Sequence, residues 1–148
     1  MSNAAVAPET YAWAAQEGPQ RTAIWMGEAV QELFYGGAVF GGKTSFLLGD
    51  FAQDLAQGEN WRGVLFRQSY PDLEEIIDQS HEIYPYIGGE YLVGKHTWKF
   101  PGGAVLRLRH LEKETDFSKY MGWSVSWLGW DELPAWESMR PYKMMLSR

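Results

Sequence analysis

Eight residues in the first third of the chain have the types and spacing of a loop that binds phosphate. The pattern GxxxxGK[ST] is formed by Gly37, Ala38, Val39, Phe40, Gly41, Gly42, Lys43 and Thr44. Glycines let backbone N–H groups converge on phosphate oxygens, and the helix N-terminus that follows such a loop favours anions. The lysine of the pattern reaches the β- and γ-phosphates, and the threonine hydroxyl binds Mg²⁺. We therefore predict that these eight residues bind ATP, with Thr44 as a ligand of Mg²⁺.

An acidic pair at the end of an apolar run predicts the second half of the same site. Residues 124–130 are mostly apolar and stop at Asp131 and Glu132. Phosphoryl transfer needs one carboxylate to hold the metal and a second group to orient the attacking water. Asp131 fits the metal role and Glu132 fits the catalytic one, together with Lys43. The alternative is that the two acids only cap a helix that begins near Leu133.

The elements around these motifs alternate between strand and helix. A strand over 32–36 leads into the loop, and a helix with an apolar stripe runs from Thr44 to Gly58. A strand over 63–67, a helix from Pro71 to about Tyr84 and a hairpin around 101–103 follow. A short helical piece, the strand before the acidic pair and a last helix after Pro134 complete the pattern. This order predicts an α/β fold of three layers with a mostly parallel central sheet, that of P-loop NTPases of the ASCE type.

Composition limits the classes of protein to which the chain can belong. Its 148 residues are 45% hydrophobic, enough for the core of one domain, which we place at 18–148 after a flexible segment at 1–17. No apolar run approaches the roughly 20 residues needed to span a membrane, so we expect no membrane partner. Cysteine is absent, which excludes disulfides and thiolate metal sites. The net charge of −6 gives no overall basic footprint for nucleic acid, so any DNA contact must be local or come from parts not present here.

With both motifs placed, the chain resembles the ATPase domain of tailed-bacteriophage terminase large subunits. These proteins are motors that package double-stranded DNA into procapsids. The resemblance covers about residues 18–148. It rests on the order of Gly18-Pro19-Gln20 and the segments LFYGGAVFGGKT, RQSYPDLEEIID, IYPYIGGEY, WKFPGGAVLRLRHLE, KYMGW, WLGWDEL and YKMMLSR.

The resemblance implies an activity, partners and site residues. It implies ATP hydrolysis coupled to DNA translocation in the host cytoplasm, by a ring of subunits docked on the procapsid portal and supplied with DNA by a small terminase subunit. It implies that Gln20 reads adenine, that Lys43 and Thr44 bind phosphate and Mg²⁺, that Asp131 supports the metal, and that Glu132 is the catalytic carboxylate.

The chain departs from that family in two respects. It stops at Arg148, before the strand that couples hydrolysis to DNA movement and before the nuclease domain, so we expect a partial ATPase domain. Val39 and Met121 stand where many relatives carry arginines. The cation that replaces them is then a residue beyond the chain, or one of Lys119, Arg67, Arg140 and Arg148. Among these four residues we favour Lys119.

Two other functions remain open from the sequence. The chain could be a P-loop ATPase of another kind, such as a helicase-like or repair motor that moves on nucleic acid without a portal. It could also be a truncated remnant that binds nucleotide without catalysis.

Overall fold

A computed structural model describes residues 11–36 and 42–147 of the chain. The α-helices of this part are α1 (Pro19–Gly27), α2 (Lys43–Ala52), α3 (Tyr70–Ile83) and α4 (Arg140–Leu146). The strands are β1 (Arg62–Arg67), β2 (Glu90–Leu92), β3 (Thr97–Lys99), β4 (Val105–His110) and β5 (Trp127–Trp130). Short 3₁₀ helices lie at Leu55–Asn60, Tyr84–Ile87, Val93–Lys95, Glu114–Tyr120 and Leu133–Ala135.

The strands form one mixed sheet in the order β2-β3-β4-β1-β5. β1 runs parallel to β4 and to β5, whereas β2 with β3 and β3 with β4 are antiparallel. The predicted three-layer P-loop NTPase fold with a mostly parallel sheet is therefore wrong, since half of the strand pairings are antiparallel.

The hairpin explains why the sheet is mixed. β3 and β4 are joined by a tight turn at residues 101–103, which Gly102 (φ 85°) and Gly103 (φ 103°) make possible. This hairpin was predicted correctly, but it is part of the main sheet because β4 pairs with β1. A tight turn can only join antiparallel strands, so the hairpin imposes that direction on this half of the sheet.

The strand predicted over 32–36, ahead of the phosphate loop, is also wrong. In the described part of the chain these residues have no strand conformation. Side chains hold the segment instead: Tyr142 donates a 2.8 Å hydrogen bond to Glu32, and its ring packs against Phe34. Tyr35 packs against Phe46 of α2. Apolar composition alone therefore did not distinguish a strand from an irregular segment anchored by its aromatic rings.

The helices follow the sequence prediction more closely. α3 begins where the proline and acids indicated, with Ser69 accepting a hydrogen bond from the backbone N–H of Asp72. α2 begins at Lys43 but ends at Ala52, and a 3₁₀ helix continues toward Gly58. α1 begins at Pro19, a position in the first turn where proline is favoured.

Both faces of the central strand β1 are covered. Leu65 belongs to a large apolar cluster that includes residues of α2, α3, β3 and β4. Val64 and Phe66 point to the other face and pack with the 3₁₀ helix Glu114–Tyr120 and with α4. β1 is thereby fixed on all sides, and its carboxyl end is a rigid position from which Arg67 projects.

Candidate nucleotide site

The structure brings the two halves of the predicted site into direct contact. The hydroxyl of Thr44 donates a 2.5 Å hydrogen bond to Oδ2 of Asp131, although 87 positions separate the two residues. Thr44 is only 9% exposed and Asp131 only 2%. A buried polar contact over this sequence distance requires the tertiary fold, so the phosphate-loop threonine and the acidic pair belong to one site.

Strand register explains how Asp131 reaches this place. β5 is parallel to β1, with Trp130 opposite Phe66, and the backbone N–H of Asp131 donates to the carbonyl of Phe66. The carboxyl ends of parallel strands meet at one edge of a sheet, which is where open α/β sheets bind ligands. α2 begins at the same edge, so its first turn places Thr44 against the end of β5.

Arg67 is the third member of this buried cluster. Its Nε and Nη2 donate to Oδ2 of Asp131 at 2.9 and 2.7 Å, and Nη2 also donates to the Thr44 hydroxyl at 3.3 Å. The Arg67 side chain is 4% exposed. Sequence reasoning named Arg67 only among possible replacement cations. The available signal was that the β1 run, like the β5 run, ends in a charged residue at the sheet edge.

Two further carboxylates surround the same guanidinium. Nη1 of Arg67 lies 3.5 Å from Glu75 of α3 and 3.9 Å from Glu132, and both acids are mostly exposed. Burial lowers the pKa of Arg67, but the charges of Asp131, Glu132 and Glu75 and the hydrogen bonds to Asp131 outweigh it, so the pKa is raised. Arg67 therefore stays charged, and it is the cation that neutralises this acidic cluster.

Glu132 differs from its neighbour in exposure and backbone conformation. Its side chain is 58% exposed, and its backbone has φ 55° and ψ 47°, a left-handed conformation that non-glycine residues rarely adopt. It does not lie inside a helix but precedes the 3₁₀ helix Leu133–Ala135. Strained backbone of this kind concentrates at functional sites.

A groove of about 1550 Å³ runs along β5 and is open to Lys43 and Glu132. Lys43 is the first residue of α2. The two predicted catalytic residues therefore line one space, whereas Thr44, Asp131 and Arg67 are buried next to it.

Gln20 is placed at the end of the phosphate loop. Its Nε2 donates a 2.9 Å hydrogen bond to the carbonyl of Gly42, and its Oε1 accepts one from the backbone N–H of Gln16. Gly42 has φ 68°, and a Cβ on it would collide with Gln20. Gln20 is 2% exposed, so adenine reading, which stays a prediction, requires this amide to become accessible to the base.

Other predicted positions fall outside the cluster or outside the described residues. Gly37, Ala38, Val39, Phe40 and Gly41 lie outside the described residues, as does Arg148. Lys119 pairs at 3.2 Å with Asp116, and Arg140 lies 4.0 Å from Glu114. Among the candidate cations in the described ranges, Arg67 is the one in contact with Thr44 and Asp131.

The donor set fits Mg²⁺ rather than a metal held by protein alone. Thr44 and Asp131 supply hard oxygen atoms 2.5 Å apart. In the described part of the chain there is no group of three or more His, Cys, Asp or Glu that could hold a metal. Mg²⁺ typically takes one or two protein oxygens and completes its shell with water and substrate phosphates.

Comparison with known proteins gives no assignment. No family model, curated protein or solved structure matches the chain. Over residues 11–36 and 42–147, no helix has both the length and the apolar character to cross a membrane.

Proposed function

We propose that this chain binds Mg·ATP at Gly37–Thr44 and hydrolyses it as the ATPase domain of a DNA-packaging motor. The proposal includes the partners that the resemblance implies: double-stranded DNA, a procapsid portal, a small terminase subunit and further copies of the chain in a ring. Its place of action is the host cytoplasm.

The hydrogen bond between Thr44 and Asp131 carries the proposal. The sequence predicted, from two separate motifs, that one residue would bind Mg²⁺ and the other would support it. Their side chains meet at 2.5 Å in a buried position at the carboxyl edge of β1 and β5. If Asp131 and Glu132 were only helix-capping acids, nothing would require either of them to contact the phosphate-loop threonine.

Each residue then has a separate task. When bound, Mg²⁺ would supply positive charge that neutralises the phosphates during transfer. Lys43, at the start of α2, holds phosphate oxygens together with the N–H groups of the helix N-terminus. Thr44 and Asp131 would hold Mg²⁺ through their side-chain oxygens. Glu132, on the rim of the groove, accepts a proton from the attacking water and orients it.

Calorimetry with Mg·ATP and single-turnover hydrolysis test the proposal. Lys43→Ala should weaken ATP binding at least tenfold, because hydrogen bonds to charged groups contribute about 1.5–3 kcal/mol each. Glu132→Gln should bind ATP normally but lose turnover in the assembled motor with DNA and portal, because the amide cannot accept the proton of water.

Two exposed residues serve as matched controls. Lys95→Ala and Glu74→Gln make the same chemical changes away from the cluster and should leave binding and turnover at wild-type values. Unchanged ATP affinity in Lys43→Ala would refute the binding site. Hydrolysis that depends on DNA but not on a portal would favour a helicase-like motor, and binding without hydrolysis would favour a nucleotide-binding remnant.

A further inference from the structure

The guanidinium of Arg67 lies where a cation is needed between Thr44 and Asp131. Oδ2 of Asp131 accepts three hydrogen bonds, from the Thr44 hydroxyl and from Nε and Nη2 of Arg67. The Thr44 oxygen accepts a fourth from Nη2. The lone pairs that these two oxygens would offer to a metal are therefore directed at, or shared with, the guanidinium.

A divalent cation that approaches Oδ2 of Asp131 and the Thr44 oxygen meets the positive charge of Arg67 at the same place. Arg67 and both oxygens are almost fully buried, and at short distance in such an environment like charges repel strongly. In addition, one of the two lone pairs of the Thr44 hydroxyl accepts a hydrogen bond from Nη2 of Arg67, so Arg67 and a metal compete for this oxygen.

The surroundings supply a second position for the guanidinium. Glu75 and Glu132 lie on the Nη1 side, at 3.5 and 3.9 Å, and their side chains are 62% and 58% exposed. A rotation of the Arg67 side chain toward these acids would keep it paired while releasing Oδ2 of Asp131. Arginine presents five donors in a planar fork, so it can exchange partners without an unpaired intermediate.

We infer that Arg67 and Mg²⁺ compete for the oxygens of Thr44 and Asp131, and that Arg67 pairs with Glu75 and Glu132 alone when Mg²⁺ is bound together with nucleotide. Arg67 is thus a positioning residue with two states. In the first it neutralises Asp131 and contacts Thr44. In the second it pairs with Glu132 and restrains the carboxylate that orients water. The inference rests on the proposed Mg·ATP site.

Binding of Mn²⁺ to the nucleotide-free protein tests the exchange without using activity. The probe is Mn²⁺ alone, followed by electron paramagnetic resonance or calorimetry. Because Arg67 competes for the same oxygens, Arg67→Met should bind Mn²⁺ at least tenfold more tightly than the wild-type protein. Arg67→Lys should give an intermediate affinity, since an ammonium keeps the charge but cannot make the paired contacts to Oδ2. Arg140→Met, which changes an exposed arginine, should leave Mn²⁺ affinity unchanged.

The same experiment separates failure of the inference from failure of the proposed function. Equal Mn²⁺ affinity in wild type, Arg67→Met and Arg67→Lys would overturn the exchange even if ATP binding requires Lys43. Tighter Mn²⁺ binding in Arg67→Met would support the exchange even if ATP does not bind. The gain must also vanish in the double variant Arg67→Met with Asp131→Asn, and a gain that persists would overturn the inference.

If Arg67→Met does not fold, nitrogen-15 NMR of the wild-type protein tests the inferred exchange of Arg67 partners instead. The Nε–H resonance of Arg67, held by Asp131, should shift on addition of Mg²⁺ with the slowly hydrolysed analogue ATPγS. The Nε–H resonance of Arg140 is the internal control. An Arg67 signal that stays unchanged at saturating ligand would overturn the inference.

Discussion

Two cation–carboxylate pairs in this molecule have similar distances but opposite surroundings. Arg67 and Asp131 approach to 2.7 Å with side chains 4% and 2% exposed. Lys119 and Asp116 approach to 3.2 Å with side chains 67% and 30% exposed. Water and salt screen the second pair, whereas the first has exchanged hydration for protein contacts. The distance between charges therefore does not indicate which pair the fold depends on, but burial does.

The pairs also differ in what is needed to form them. Lys119 and Asp116 are three residues apart in one 3₁₀ helix, so local structure is enough. Arg67 and Asp131 meet only because β1 and β5 are parallel neighbours in a fixed register. The buried pair thus reports on the tertiary fold, and its loss should affect the whole domain.

The largest effect is expected from removing one partner of the buried pair. Asp131→Ala leaves the charge of Arg67 buried with only Glu75 and Glu132 at its outer side. The free energy of unfolding should fall by about 3 kcal/mol, the lower end of the range for breaking a buried pair. Urea unfolding followed by tryptophan fluorescence measures this loss.

The double variant Arg67→Met with Asp131→Leu is the control for that prediction. It replaces both charges by apolar groups of similar volume, which is often close to neutral, so it should recover most of the loss. A loss below about 1 kcal/mol in Asp131→Ala would mean that the pair is as weak as an exposed one, and the comparison would fail.

Glu132 provides a second test of how burial affects stability, because it belongs to the same cluster as Arg67 and Asp131 but its side chain is exposed and its backbone is strained. Glu132→Gly should raise the free energy of unfolding by about 0.5–1 kcal/mol. Glycine removes the cost of the left-handed backbone, about 1–2 kcal/mol, and part of that gain is lost to the greater freedom of the unfolded chain. Urea unfolding measures the change.

Glu132→Gln separates the effect of backbone strain on stability from the effect of the side-chain charge. It keeps the side-chain shape and the strained backbone, so stability should stay within about 0.5 kcal/mol of wild type. Both variants should lose turnover if Glu132 orients water. If Glu132→Gly is less stable than Glu132→Gln, the left-handed conformation is not a strained one and the contrast with Asp131 is one of exposure alone.

The contact between Thr44 and Asp131 was more predictable from sequence than the sheet. Thr44 and Asp131 could be paired in advance, because each belongs to a motif whose residue types follow from phosphate and metal chemistry. The contact of Arg67 could not, because it depends on which strands become neighbours. The sheet was mispredicted for the same reason: local patterns gave the hairpin, but not its pairing with β1.

The smallest effect on stability is expected from the exposed pair. Lys119→Ala should leave the urea midpoint unchanged within error, because both partners are well hydrated. A local electrostatic effect should nevertheless be measurable. The side-chain hydrogen bond from Lys119, and then the backbone hydrogen bond at Lys113, lower the pKa of Asp116 below 3.8. The variant should raise this pKa toward 3.8, as NMR titration of the carboxyl group can show.

The sign of the effect fixes where any change in stability can occur. A carboxyl group with a lowered pKa contributes stability above 3.8, and this is lost as pH falls through the folded-state pKa. Wild type and Lys119→Ala should therefore differ least at acid pH, and Lys95→Ala should match wild type throughout. A clear loss of stability in Lys119→Ala at neutral pH would remove the distinction between the two pairs. Turnover that is restored when inactive Lys119→Ala subunits are mixed with inactive Lys43→Ala subunits would instead assign Lys119 as a cation that acts on a neighbouring subunit, because an intact Lys43 site would then receive Lys119 from its neighbour.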